Sequence, residues 1–259
     1  MTESNLSAPQ FPPGDYVSPG LKRIKPDAAF PFMTIGNPAQ HPWPFLRREI
    51  PHNWYADRRS PDTGFVSRDE AHILYNTALL FEGSAALEVG CWLGWSTCHL
   101  ALAGVRLDVV DPLLANPDFH GSVAQSLIGA GVRDRVRLFP GSSPDKVFEL
   151  AALLDRRWPL IFIDGSHERP APLNDAKAAH IVAAADALVL FHDLASPDVE
   201  QGLAYLRDLG WNTLVYQTMQ IMAAAWRGRV TPIPHVPDPA VAWPLPDHLR
   251  TYRISGVSS

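Results

Sequence analysis

Ala86-Leu87-Glu88-Val89-Gly90-Cys91-Trp92-Leu93-Gly94-Trp95-Ser96 is the stretch whose reading decides the fold. A short apolar run ends in two glycines, and a helical pattern follows at once. A second apolar run, Leu107-Asp108-Val109-Val110, closes on Asp111 about twenty residues after the first turn. A strand feeding a glycine turn and a helix, then a strand ending in a carboxylate, is how a doubly wound α/β sheet builds a nucleoside pocket. The backbone approaches the ligand at the glycines, and the acid accepts hydrogen bonds from ribose hydroxyls. The spacing Gly90-x-x-x-Gly94 is not the G-x-G-x-x-G of pyrophosphate binders. With Glu88 expected at the mouth of the pocket, it suits a cationic ligand better than a phosphorylated one, and S-adenosylmethionine is such a ligand.

Outward from this turn, strands and helices alternate. Strands are expected at 85–90, 106–111, 134–139, 159–164 and 187–192, with helices near 95–103, 119–130, 143–155 and 171–184. The continuous apolar runs Leu160-Ile-Phe-Ile163 and Ala187-Leu-Val-Leu-Phe191 mark strands buried on both faces, hence a parallel sheet. Ser67-Arg-Asp-Glu70 is a capping box that opens the regular part of the chain. Ser196-Pro197 opens a last helix, and 211–216 with 221–226 read as an antiparallel pair at the sheet edge. The fold class is therefore a doubly wound, mostly parallel seven-stranded Rossmann-like sheet with an antiparallel edge hairpin. Prolines crowd both ends of the chain, eleven between Pro9 and Pro61 and six between Pro232 and Pro246, interleaved with aromatics. Proline removes backbone donors and fixes φ, so both ends are expected to be irregular arms. The expected organisation is an N-terminal arm over 1–66, a cofactor-binding domain over 67–228, and a C-terminal tail over 229–259 that packs on the domain or on a neighbouring subunit.

The 259 residues suffice for one large α/β domain, and 46% apolar with 19% charged residues is ordinary for a globular protein. A net charge of −5 gives no basic footprint for nucleic acid. Two cysteines, Cys91 and Cys98, make neither a disulfide framework nor a zinc site, and no apolar run approaches the ~18 residues of a membrane span. The start Met1-Thr-Glu-Ser-Asn-Leu-Ser-Ala8 lacks the pattern of a signal peptide. The expectation is a cytoplasmic protein, without nucleic-acid or membrane partners, forming a homo-oligomer.

In an open α/β sheet, ligands bind beyond the carboxyl ends of the parallel strands. Five strand ends bring polar residues there: Glu88 and Gly90, Asp111, Gly141-Ser142-Ser143, Asp164-Gly-Ser-His167, and His192-Asp193. Asp164, His192 and Asp193 can hold a divalent metal, with Mg²⁺ or Mn²⁺ favoured by the oxygen-rich set. The alternative is that both aspartates cap the following helices and His192 fills a polar gap. His167, on the loop after Asp164, is placed to take a proton from a hydroxyl; its alternative is a solvated loop residue. The other histidines are read as lying outside the site. Trp92 and Trp95 are read as packing residues, Trp92 with the option of walling the pocket.

With these residues in hand, the stretch from Ser67 to Trp226 resembles the class I S-adenosylmethionine-dependent methyltransferases. Within them it is similar to small-molecule O-methyltransferases of the catechol type and to macrocin-type sugar O-methyltransferases. The resemblance implies that Glu88 and Ser96 face the methionine end of S-adenosylmethionine, and that Gly90 and Gly94 also bind the cofactor. It also implies that Asp111 binds the ribose, that Ser142 and Ser143 lie near the adenine, and that Asp164 borders the cofactor and binds metal. His167 stands where catechol enzymes carry a catalytic lysine, and His192 where the family has an acid. The Gly-Gly before the fifth strand is replaced by Ala183-Ala-Ala-Asp-Ala187. The resulting expectation is O-methyl transfer to a small-molecule hydroxyl, on a sugar or glycosylated natural product, with metal at Asp164, His192 and Asp193 and His167 as base. The alternatives are an NAD-type oxidoreductase and a non-catalytic cofactor-binding scaffold.

Overall fold

The computed structural model describes residues 9–256; the reading of Met1–Ala8 as lacking a signal peptide lies outside them. The chain order is β1 (Met33–Ile35), β2 (Tyr55–Asp57), β3 (Ser60–Phe65), α1 (Arg68–Leu79), β4 (Ala85–Val89), α2 (Trp95–Leu102), β5 (Arg106–Asp111), α3 (Pro117–Gly129), β6 (Val136–Pro140), α4 (Asp145–Leu153), β7 (Trp158–Ile163), α5 (Ala171–Val182), β8 (Ala183–Phe191), α6 (Pro197–Asp208), β9 (Asn212–Tyr216) and β10 (Met222–Arg227). Seven strands form one sheet in the order β6-β5-β4-β7-β8-β10-β9. The first five are parallel, while β10 runs antiparallel to both β8 and β9. The expected doubly wound sheet and its edge hairpin are both present.

Each strand of the parallel group is apolar on both faces because helices cover both. Ala86, Leu107, Leu160 and Leu188 pack in one layer with Trp95, Leu100 and Val123. Leu87, Ile161 and Val189 pack in the other with Val147, Ala179 and Leu203. The capping box forms as expected. Ser67 Oγ accepts the Glu70 amide at 3.3 Å, and Glu70 Oε2 accepts the Ser67 amide at 2.7 Å. Ala183-Ala-Ala-Asp-Ala187 is no loop: β8 starts at Ala183 directly after α5, and the Arg227 guanidinium donates to the carbonyls of Ala183 and Ala184.

The arms are more ordered than proline content suggested. Residues 33–65 carry a second, three-stranded antiparallel sheet, β1-β2-β3, whose short strands fit between the prolines. A small apolar cluster, Leu46, Ile50, Trp54, Ala56 and Met219 with Trp43, Val241 and Trp243, joins the N-terminal arm to the tail. Arg68, fully within the fold, pairs with Asp15 at 2.6 Å and with Asp27, fastening the arm to α1. The tail covers the open edge of β9, where the Val215 amide donates to Arg253 O and the Ser255 amide to Val215 O, both at 2.9 Å. Covering a free edge removes its unpaired backbone groups from other chains. No helix of the described residues is long and apolar enough to cross a membrane.

Candidate active site

A cavity of about 660 Å³ opens at the carboxyl ends of β4, β5, β6, β7 and β8, within the range of small-molecule sites. One end is formed by Gly90, Asp111 and Ser142-Ser143, the other by Asp164, His167, His192 and Asp193. Gly90 has φ of 81°, and a Cβ there would lie 2.2 Å from the carbonyl oxygen of Asp164. The two strand ends that carry the site can meet only because residue 90 has no side chain. Asp111 braces this turn: Oδ2 accepts the Cys91 amide at 2.9 Å and Oδ1 the Leu113 amide at 2.8 Å. Its carboxylate borders the cavity with lone pairs left for ligand hydroxyls.

Glu88 departs from expectation. It is fully buried below the turn, where Ser96 Oγ and Thr97 Oγ1 donate to its two oxygens at 2.6 Å each. Burial drives its pKa up to about 8, with Asp164 and Asp111 adding to the rise and the two hydroxyls opposing it. A carboxyl neutral near pH 7 offers no negative charge at the mouth. Glu88, Gly94 and Ser96 shape the turn from behind and do not line the cavity.

At the other end the residues converge. His167 Nε2 lies 2.9 Å from Asp193 Oδ2 and 3.5 Å from Asp164 Oδ1. His192 Nδ1 lies 3.1 and 3.2 Å from the same two oxygens, and its Nε2 is 3.3 Å from Glu70 Oε2. None of these ring nitrogens has hydrogen-bond geometry to a partner among the described residues. Neither aspartate caps a helix, since the N-caps of α5 and α6 are Pro170 and Ser196. Donor atoms within 4.8 Å of one another come from Asp164, His167 and Asp193. The ring in that set is His167; His192, expected as a ligand, turns Nδ1 to the same two oxygens and Nε2 to Glu70.

Charges follow this geometry. Burial opposes protonation of His167, but Asp193 and then Asp164 outweigh it and hold the pKa up at about 10. That proton is held by the two carboxylates, so a cation bound between them would release it and free Nε2 as a donor atom. Burial likewise opposes the charged form of His192, yet Asp193, Asp164 and Glu70 raise it well above its usual range. Asp193 is pulled well below the carboxylate range by the two rings, against its burial. Glu70, fully buried, is lowered to about 2 despite desolvation by the His192 charge and by amide bonds from Gln220 and Ser67.

Several cavity residues escaped the sequence reading. Glu70, fully buried and not part of the lining, is visible there only as a capping residue. Gln220 joins three parts: its amide donates to Glu70 Oε1 at 2.8 Å, its side-chain nitrogen to Asp193 Oδ1 at 3.1 Å, and its side-chain oxygen accepts the Arg47 amide at 2.9 Å. Trp92, Asp193 and Ile221 have positive φ values of 42°, 62° and 62°. Strain of this kind in non-glycine residues gathers where the surrounding structure over-determines the backbone. The arm brings His41, Trp43, Trp54 and Thr63–Val66 into the wall, with the Trp43 and His167 ring centres 5.3 Å apart. His41 was read as lying outside the site; the β1-β2-β3 sheet carries it in. Asp175 of α5 also lines the cavity, and burial raises its carboxyl to about 6. Trp92 lines the cavity, whereas Trp95 is core and donates to Val66 O at 3.2 Å.

Residues 87–194, from the first glycine strand through His192-Asp193, match a family model described as a methyltransferase domain. Over these residues the chain is similar to a methyltransferase domain. No curated protein is matched by the sequence. Among solved structures, Rv0187 from MTB in its cofactor-bound form is 24% identical, with 62% of this chain and 81% of that one covered at a TM-score of 0.51. TomG from Streptomyces achromogenes, an O-methyltransferase involved in tomaymycin synthesis and solved with SAM, is 20% identical over 63% and 82% at 0.53. An O-methyltransferase from Bacillus cereus in complex with SAH is 15% identical over 63% and 83% at 0.54. These likenesses show a shared fold. The methyltransferase domain accounts for the glycine end and the aspartates; the wall from His41 to Val66 lies outside the matched residues.

Proposed function

We propose that the protein is an S-adenosylmethionine-dependent O-methyltransferase acting on the hydroxyl of a small molecule, a sugar or other natural product. One observation carries the reading: a single cavity joins the glycine turn and Asp111 to the Asp164–His167–Asp193 cluster. In this reading S-adenosylmethionine lies over Gly90, its ribose toward Asp111 and its adenine toward Ser142 and Ser143. The two solved O-methyltransferases that hold SAM or SAH on this fold support it. The cofactor-binding domain spans 67–228, and the arm supplies the aromatic wall of the acceptor half.

The donor set fits a divalent ion. A metal about 2.0–2.2 Å from each ligand places donors roughly 3–4.5 Å apart, as the 2.9 and 3.5 Å separations here do. The unpartnered ring nitrogens point the same way. Asp164 and Asp193 with an imidazole would hold the ion. It would supply Lewis acidity that lowers the pKa of an acceptor hydroxyl.

In the transfer an O–CH₃ bond forms as the S–CH₃ bond breaks, its electrons returning to sulfur, and the hydroxyl proton leaves. The groups facing the acceptor half that can orient the hydroxyl or receive its proton are the two carboxylates and His167. Trp43 and Trp54 flank the acceptor and exclude water. The main contribution is holding oxygen and methyl at near-attack distance.

Calorimetry with S-adenosylmethionine and with NAD, followed by methyl-transfer assays on a panel of glycosides and phenols, tests the proposal. S-Adenosylmethionine should bind and NAD should not. Asp164→Ala should abolish turnover while cofactor affinity stays within about threefold. Binding of NAD alone would overturn the cofactor assignment, and normal turnover in that variant would overturn the site.

A further inference from the structure

We propose that His167 is a ligand of the divalent ion rather than the base, and that the mixed oxygen–imidazole site it completes selects a first-row transition ion over Mg²⁺. This rests on the reading that the cluster holds a metal. The two carboxylates are turned so that one oxygen of each faces inward. Gln220 holds Asp193 by Oδ1 at 3.1 Å, which leaves Oδ2 toward His167. Asp164 presents Oδ1 to both rings.

The two histidines are not equivalent. His192 is nine-tenths buried. Its Nε2 stands against Glu70, a carboxylate locked by the Ser67 and Gln220 amides. Its Nδ1 meets Asp164 Oδ1 and Asp193 Oδ2 from the core side, at 3.2 and 3.1 Å, whereas the convergent donor set is Asp164, His167 and Asp193. His167 lines the cavity, shares that set, and has the arm residue Trp43 against its ring. An ion between Asp164 Oδ1 and Asp193 Oδ2 that also faces the acceptor meets His167 Nε2.

Ligand chemistry then decides the metal. Mg²⁺ takes oxygen ligands and water in near-ideal octahedral geometry, whereas imidazole nitrogen favours the later first-row ions. A site with one nitrogen among two carboxylate oxygens gains affinity for Mn²⁺, Co²⁺ or Zn²⁺ that Mg²⁺ does not share. Gln220, which holds Asp193, acts as a positioning residue, since outer partners of this kind fix ligand orientation.

The test uses the full chain stripped with EDTA, equilibrium dialysis against Mg²⁺, Mn²⁺, Co²⁺ and Zn²⁺, and proton NMR of the Co²⁺ form. Co²⁺ should bind at least about tenfold more tightly than Mg²⁺. One paramagnetically shifted imidazole N–H should appear in the parent protein and in His192→Asn, and be missing in His167→Asn. His167→Asn should lose at least about tenfold in Co²⁺ affinity while binding S-adenosylmethionine as the parent does. Mg²⁺ binding as tightly as Co²⁺, or the shifted N–H persisting in His167→Asn, would overturn the assignment, and the parent measurement stands even if a variant misfolds. If no ion binds while S-adenosylmethionine does, the metal site itself falls and methyl transfer stands.

Discussion

Replacing Gly90 with alanine should damage the protein in a way the backbone geometry dictates. The new Cβ would lie 2.2 Å from Asp164 O, 2.6 Å from Asp164 C and 2.8 Å from Gly165 Cα. All three are backbone atoms and cannot rotate away. The ends of β4 and β7 would have to part by roughly 1 Å to restore contact distance. Overpacking of this order costs about 1–3 kcal/mol. Holding alanine at φ of 81° adds about 1–2 kcal/mol. Gly94→Ala is the control, because its φ of 89° is equally left-handed but its Cβ meets only the Val123 side chain, at 3.2 Å. Thermal unfolding should fall by roughly 5–15 °C for Gly90→Ala and by less than half of that for Gly94→Ala. Because the clash is with Asp164 itself, Gly90→Ala should also weaken S-adenosylmethionine binding in calorimetry, which Gly94→Ala should do far less. Equal destabilisation by the two substitutions, within about 0.5 kcal/mol, would refute the reasoning.

Three further outcomes follow from buried charge. Glu88 titrates near 8 in the fold against an ordinary 4.5. The folded state therefore holds a proton that the unfolded chain releases between these values, and stability falls as pH rises from about 4.5 to 8. Glu88→Gln mimics the protonated form, so its stability relative to the parent in urea titrations should rise by a few kcal/mol from pH 5 to pH 9; a pH-independent difference would show that Glu88 is ionised. Glu70 has the opposite sign. Its pKa of about 2 contributes stability above pH 4.5 that is lost as pH falls toward 2, and Glu70→Gln should flatten that acid limb. Arg68→Met strands Asp15 and Asp27 inside the arm, which should cost about 3–5 kcal/mol. Limited proteolysis should then cut ahead of residue 67; resistance equal to the parent would mean the arm is held by its apolar contacts alone.

The fold was legible because its signals are local. The parallel strands are continuous apolar runs, the first turn needs glycine at 90, and the Ser67–Glu70 box stops the backbone ambiguity at a helix start. Strand ends of a parallel sheet also share one rim by topology alone, so Asp111, Asp164, His167, His192 and Asp193 could be brought together from their order. Boundaries moved where tertiary contacts intervene. Ala183–Asp186 reads as a helix end and loop, yet Arg227 recruits its carbonyls and the segment is strand.

What lay beyond the sequence concerns direction and depth. The pattern Glu88-Val-Gly90 places an acid beside the turn but does not say which way it points; packing turned it inward, where desolvation neutralises it. His192 and His167 look interchangeable as donors until Glu70, more than a hundred residues away in sequence, is seen to face Nε2 of His192, leaving only its Nδ1 toward the aspartates. The arm's tryptophans gave no periodic signal, since proline-rich chain has no repeating face, and only folding back of the β1-β2-β3 sheet sets them against the cavity. The sequence by itself determined the sheet, the glycine turn and the rim that carries the polar residues, because backbone conformation and burial are written in local residue types. Only the tertiary structure decided which of those residues share a space and which are charged, because distance and dielectric depend on contacts between segments far apart in the chain.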